Sequence, residues 1–190
     1  MREITINVPD GVSGNWAVQS FIVSEEDAKI TRLRAIFQGG RGSVPVGNYK
    51  YLKRNGQTIM SNTPDEIRDF GSFIKIAKGS VLINGLGIGV VLKAILEKQE
   101  VTKVIVIEKS RDVIKLSAPT YEKDERVTII NADAFEYQPP KGERYDCVWH
   151  DIWDVICSDN LEGMKTLHRK YGRICDYQES WCRDRCKDLL

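Results

Sequence analysis

Hydrophobic positions are spaced in different ways along this chain, and each spacing predicts a different element. Val81-Leu-Ile is a continuous apolar run that breaks into Gly85, Gly87 and Gly89 at alternate positions. A short apolar run bounded by turn residues reads as a strand buried on both faces. Val90, Val91, Leu92, Ala94, Ile95 and Leu96 then recur at helical spacing. The prediction is strand, tight turn, helix. Further apolar runs at 103–108, 127–130 and 145–150 predict three more strands. After Asp154 the pattern reads as two helices, about Asn160 to Tyr171 and Ile174 to Leu189.

The N-terminal third is smaller in scale. Trp16 to Val23 reads as a strand. Ser24-Glu-Glu-Asp27 has the form of a capping box and introduces a helix expected to carry Ile30, Leu33, Ile36 and Phe37 inward. Residues 39–47, rich in glycine, read as a loop. Tyr49–Arg54 and Gln57–Met60 flank Asn55-Gly56, a hairpin signal because both residues tolerate positive φ. Thr63-Pro-Asp-Glu66 starts the next helix with an N-cap, an N1 proline and an N3 glutamate, and Gly79 is read as its end. No internal repeat or low-complexity tract interrupts the chain.

Glycine at the first turn admits positive φ and lets a ligand approach the backbone where a Cβ would clash. Strand, glycine turn and helix together make the opening unit of a nucleotide-binding Rossmann-like domain. A dinucleotide fingerprint needs glycine at the place of Val90, so the pattern is G-x-G-x-G instead. That motif resembles the first motif of class I S-adenosylmethionine-dependent methyltransferases and the related polyamine synthases. Gly85, Gly87 and Gly89 would then cradle the cofactor. A carboxylate ending the second strand can accept both hydroxyls of a ribose, which is the role expected of Glu108. The superfamily resemblance implies that Asp133, with Ala134 beside it, reads the adenine. The fourth strand delivers Asp151 to the carboxyl edge of the sheet, where open α/β sheets bind their ligands.

The order of the motifs narrows the resemblance to the spermidine synthase-like branch, over about residues 49 to 155. Residues 54–66 are similar to the hairpin and helix entry of spermidine synthases, and Val81-Leu-Ile-Asn-Gly-Leu-Gly to their V-L-I-I-G-G-G. Asp151-Ile-Trp-Asp154 has the spacing of their D-S-S-D, whose first aspartate deprotonates the attacking amine. Departures are Ile88 and Ser110, where the synthases carry acids, and Val155 in place of a proline. Their C-terminal third has no counterpart. Small phage-borne and prophage-borne methyltransferase-like proteins are also similar, His-Asp-Ile-Trp included. The expected fold class is therefore α/β: a truncated Rossmann-like three-layer sandwich with a mostly parallel sheet, strand order 3-2-1-4. A small α+β extension over 1–63, containing the hairpin, precedes the Rossmann-like domain at 64–190.

Trp149-His-Asp-Ile-Trp-Asp154 is the candidate chemical centre. Methyl transfer is an in-line displacement, so the protein supplies proximity and a route for the nucleophile's proton. Asp151, with His150 or Asp154, is the candidate proton acceptor, and free histidine titrates in the useful range. Trp149 and Trp153 are candidates for stacking on a planar substrate or on the sulfonium. The competing reading sends His150 and one tryptophan into packing, leaves the aspartates as loop caps, and gives the glycines to strand–helix packing alone. His168, Cys175, Cys182 and Cys186 have no accepted zinc-finger spacing, so packed free thiols are the expectation and no metal is assigned.

Composition adds limits. Apolar content of 42% and charged content of 29% are ordinary for a globular domain. No run is long enough to span a bilayer. The five cysteines, an odd number without a secretory signal, suggest reduced thiols and a cytoplasmic location. A net charge of +1 makes no case for nucleic acid, although Ala28 to Pro64 holds seven Lys or Arg and no acid. The basic stretch from Lys29 to Arg54 reads as a phosphate-docking surface or, preferably, leaves Lys50, Lys53 and Arg54 as a solvated hairpin edge. The expected function is S-adenosyl-L-methionine-dependent methyl transfer. A small-molecule acceptor is the first expectation, with nucleic acid or protein as alternatives and a second copy of the chain as a candidate lid. Aminopropyl transfer and a non-catalytic adenosylmethionine-binding module are the competing functions.

Overall fold

The computed structural model describes residues 4–37 and 39–190. Met1 to Glu3, where the expected extension begins, and Gln38 lie outside the described residues.

The N-terminal part is a four-stranded antiparallel sheet in sequential order: β1 (Gly11–Ser13), β2 (Trp16–Val23), β3 (Gly47–Arg54) and β4 (Gln57–Ser61). Asn55 and Gly56 join β3 to β4 with φ of 50° and 79°, the two positive values that a tight hairpin twisted like its strands requires. Helix α1 (Glu25–Phe37) starts at the expected box, the Ser24 hydroxyl accepting the Asp27 N–H at 3.1 Å and the Asp27 carboxylate accepting the Ser24 N–H at 3.1 Å. Its orientation differs from the prediction. Ile30, Leu33, Ile36 and Phe37 are exposed, Phe37 at 89%, and Ala35 is the buried residue. The Thr31 hydroxyl donates to the Val44 carbonyl and accepts the Val44 N–H, both at 3.2 Å. That tether turns the small-residue face of Ala28, Thr31 and Ala35 inward, and the large apolar side chains point away.

Helix α2 (Pro64–Ile76) follows β4 directly. Thr63 makes no side-chain cap; its hydroxyl pairs with that of Ser61, and the Glu66 carboxylate takes the Ser61 N–H instead. Gly79 does not end this helix. It opens the next strand with φ of 59°.

The main sheet is all parallel and has five strands: β5 (Gly79–Asn84), β6 (Val101–Glu108), β7 (Val127–Asn131), β8 (Tyr145–His150) and β9 (Cys175–Ser180), in the order β7-β6-β5-β8-β9. The sequence pattern predicts four strands and a long last helix. Residues 174–189 instead supply β9 and the short helix α6 (Arg183–Lys187), because β8 has a second hydrogen-bonding edge to satisfy. Helices α3 (Val90–Leu96), α4 (Arg111–Tyr121) and α5 (Asn160–Tyr171) complete the α/β, Rossmann-like layers.

Period-two alternation builds the layers. Val81, Ile83, Val104, Val106, Cys147 and Trp149 face α2, α3 and α4, in a core that also takes in Ile6, Val8, Val18 and Leu52 from the N-terminal part. Leu82, Ile105, Ile107 and Val148 face Leu167 and Tyr171 of α5. Consecutive residues of one strand thus serve opposite layers, and residues at or just past a strand end line the carboxyl edge.

Candidate functional site

β5 and β8 lie side by side, but the helices that follow them pack on opposite faces of the sheet. The chain therefore leaves a crevice beyond their carboxyl ends, the topological switch point of an open α/β sheet. A cavity of about 530 Å³ opens there, within the range typical of small-molecule sites. Its floor is Gly85, Leu86 and Gly87, its walls come from Glu108 to Ser110 and Ala132 to Phe135, and Asp151 to Asp154 border the other side. The hairpin and α2 contribute Arg54, Met60, Glu66 and Phe70.

Gly85 has φ of 101°, and a Cβ there would overlap the carbonyl oxygen of Asp151. This glycine lets the ends of β5 and β8 close on each other. At Gly87 a Cβ would overlap Met60 Sδ, which accepts the Ile88 N–H at 3.3 Å. The bare face of that turn admits the hairpin's thioether. Gly89 does not line the cavity; it packs against the ring of Tyr121, whose hydroxyl donates to the Ile88 carbonyl at 2.6 Å. Two of the three glycines border the cavity, and the third serves helix packing.

Glu108, at the end of β6, accepts the Leu86 N–H on one carboxylate oxygen and the Ser110 N–H on the other, both at 2.8 Å. Burial raises its pKa against those backbone donors, which favour the anion. The Lys109 and Gly87 N–H groups also lie near this carboxylate and favour its anion. Asp133 accepts the Phe135 N–H at 2.8 Å and pairs with Lys109 at 2.7 Å; that Lys109 contact holds its pKa below the usual carboxylate value. Ala134 is buried beside it in the same wall.

Asp151 is the first residue past β8, fixed by its own N–H donating to the Asn84 carbonyl at 2.8 Å. Burial pushes its pKa up to about 7, with Glu108 adding to the rise. The Trp149 indole N–H lies close enough to oppose that shift, but not in a geometry that makes a full hydrogen bond, and it has no other partner. Asp154 is tied to Arg54 of the hairpin.

His150 is not at the cavity. Strand alternation sends it to the α5 side, fully buried, with Nδ1 at 2.8 Å from Asn84 Nδ2 and Nε2 at 3.2 Å from Gln178 Oε1. Burial depresses its pKa to about 3, so it stays neutral where free histidine would titrate. Trp149 goes to the other side, 1% exposed, edge-on to Phe70 and tilted on Phe73, and cannot stack on a ligand. Trp153 does line the cavity, as do Trp16 and Trp181.

The sequence pattern marks Glu66 only as a helix cap, yet it lines the cavity. Burial pushes its pKa up to about 8, with the nearby Asp151 and Asp69 carboxylates adding to the rise. The available signal is an acid in the first helical turn after the hairpin. Its inward direction comes from β4 ending at Ser61, the residue whose N–H it takes.

The basic stretch is largely engaged within the protein. Lys50 pairs with Asp10 and Arg41 with Asp69, each at 2.7 Å, and Lys53 lies 5.1 Å from the ring centroid of Tyr51, itself stacked on Phe21. Among the described residues all five cysteines are free, and no three His, Cys, Asp or Glu are grouped to hold a metal ion. None of the described helices is long and apolar enough to cross a membrane.

No family model matches the chain. No curated protein matches it either. Among solved structures, spermidine synthase from Thermotoga maritima is similar at 22% identity and a TM-score of 0.43, over 62% of this chain and 45% of that one. The CcbJ methyltransferase from Streptomyces caelestis is similar at 15% identity and a TM-score of 0.46, over 60% and 47%. N-methyltransferase NodS from Bradyrhizobium japonicum WM9 gives 13%, 0.43, and 57% of each chain. This chain thus spans about half the length of each of these proteins. Likenesses at this level carry no inference about activity, and similarity to small phage-borne proteins is not among them.

Proposed function

We propose that the protein binds S-adenosylmethionine in the switch-point cavity and transfers its methyl group to an acceptor that enters beside Asp151. The observation carrying this reading is the convergence of Gly85, Glu108, Asp133 and Asp151, from four separate strand ends, on one cavity of suitable size. The residues fit an adenosyl group. Glu108 lines the cavity as an acceptor for a ribose, and Asp133 with Ala134 forms a wall for the base.

When bound, the cofactor supplies an electrophilic methyl group on a sulfonium. Glu108 and Asp133 orient the nucleoside, which is the proximity contribution to an in-line displacement. Asp151 takes the acceptor's proton; a carboxyl titrating near neutrality is matched to that task. His150 has no part in the proton route. It holds Asn84 and Gln178 in register behind the site.

The second reading is aminopropyl transfer to an amine, favoured by the carboxylates of Glu66, Asp151 and Asp154 around one end of the cavity. Thermal unfolding with adenosylmethionine, its demethylated product, decarboxylated adenosylmethionine and NAD separates these. A ligand at a hundred times its Kd stabilises by about 2.7 kcal/mol. Shifts with adenosylmethionine and its product support methyl transfer, and preference for the decarboxylated donor supports aminopropyl transfer. No shift with any of the four refutes both and leaves the glycines to packing.

A further inference from the structure

The cavity is unbalanced in charge. Among the described residues that line it, Glu66, Glu108, Asp133, Asp151 and Asp154 are acidic and Arg54 and Lys109 are basic. Both cations are already engaged, Arg54 with Asp154 and Lys109 with Asp133. Asp69, the other acid near Glu66, is neutralised from outside by Arg41 at 2.7 Å and Arg185 at 3.2 Å. Glu108 is held by two backbone N–H groups. Glu66, Glu108 and Asp151 have no cationic partner among the described residues, and of these Glu66 and Asp151 are the two that no pair of backbone N–H groups holds. One comes from the first turn of α2 and the other from the end of β8. Glu66 accepts the Ser61 N–H, whereas Asp151 has the buried Trp149 indole N–H nearby without a full hydrogen bond to it.

Two carboxyls facing the same half-buried space resist ionising together, so the empty site retains a proton. A ligand bringing a fixed positive charge removes that resistance. We propose that Glu66 and Asp151 form a single counter-charge site that retains a proton when no cation is present and releases it to solvent when one binds. The cavity would thereby select the sulfonium form of an adenosyl ligand over its uncharged thioether. This rests on the adenosyl-binding reading above. It makes Glu66 a specificity-determining residue, and it gives product release a direction: loss of the sulfonium charge returns the proton to the pair. The Glu66 pKa, raised by burial and further by the Asp151 carboxylate, agrees with this arrangement.

The test is isothermal titration calorimetry of adenosylmethionine and S-adenosylhomocysteine at pH 6, 7 and 8, each in two buffers of different protonation enthalpy. Wild-type protein should release up to about one proton on binding the sulfonium and close to none with the thioether. Its preference for adenosylmethionine should then grow by up to roughly tenfold per pH unit across that range. Glu66→Gln keeps an oxygen for the Ser61 N–H, and at pH 8 it should release less than half the wild-type proton count on binding adenosylmethionine. Should that variant fold poorly, the wild-type difference between the two ligands decides alone. Equal proton counts for the two ligands, or a preference independent of pH, overturns the proposal and leaves the adenosyl reading standing. If neither ligand binds, both fall.

Discussion

Replacing Gly85 by alanine is expected to cost far more than the methyl group's size suggests. At φ of 101° an L side chain is strained, and the new Cβ would overlap the carbonyl oxygen of Asp151. That oxygen is backbone just past the end of β8, so no rotamer change relieves the clash. Gly56, at φ of 79° with nothing within 4 Å of where a Cβ would stand, supplies the control. Gly56→Ala carries only the conformational penalty of about 1–2 kcal/mol, partly offset by a stiffer unfolded chain worth about 0.4–1 kcal/mol. It should therefore lose about 1 kcal/mol. Gly85→Ala adds overpacking of about 1–3 kcal/mol, for a total near 3 kcal/mol. In a chain of this length that separates the melting temperatures by roughly 4–8 °C. Urea unfolding followed by circular dichroism measures both variants against wild type. Losses within about 0.5 kcal/mol of each other would refute the close approach of β5 to the Asp151 peptide.

Three further outcomes follow from individual contacts. His150 has a depressed folded pKa, so the unfolded chain binds its proton first, and stability is lost as pH falls below about 6.5 at up to about 1.4 kcal/mol per unit. Glu66 and Asp151, with raised pKa values, act in the opposite sense, gaining stability as pH falls from about 8 towards 4. The acid limb of wild type minus His150→Gln isolates the histidine; parallel pH curves would contradict its burial as a neutral group. Tyr121→Phe removes the 2.6 Å bond to the Ile88 carbonyl and should cost about 1–2 kcal/mol in urea unfolding, with no change disproving the anchor. A double-mutant cycle on Arg54 and Asp154, 40% and 33% exposed, should give a coupling below about 1 kcal/mol that shrinks at high salt. A larger, salt-insensitive coupling would mean that the pair is shielded from solvent.

What can be read from the sequence divides along a physical line. The strand–glycine–helix unit at 79–96, the hairpin at Asn55-Gly56 and the strands ending at Glu108 and His150 all declare themselves locally, through apolar runs and residues that tolerate positive φ. β9 does not. Cys-Asp-Tyr-Gln-Glu-Ser is an edge strand bonded on one side only, so no apolar run marks it, and its identity depends on β8 needing a partner. Periodicity points α1 the wrong way because its large apolar residues lie on the outer face, while a threonine bonded to Val44 sets the inner one. Within the site, the placement of Asp151 follows from its position just past a strand end. The exclusion of His150 and Trp149 follows from the same alternation, once the sheet is known to be covered on both faces. Glu66 shows what spacing alone misses: an acid that fits a helix-cap pattern also lines the cavity, taking the Ser61 N–H where β4 ends.

Under the proposed function, the cavity beyond β5, β6 and β8 holds an adenosyl group through Glu108. That role is tested most directly by the affinity of S-adenosylhomocysteine for wild type and for Glu108→Gln, a change that keeps one acceptor oxygen and removes the charge. Hydrogen bonds to a charged acceptor contribute about 1.5–3 kcal/mol, so the variant should bind roughly 10- to 100-fold more weakly while melting as a folded protein. Unchanged affinity in the variant, or no binding to the wild type, would contradict that role for Glu108.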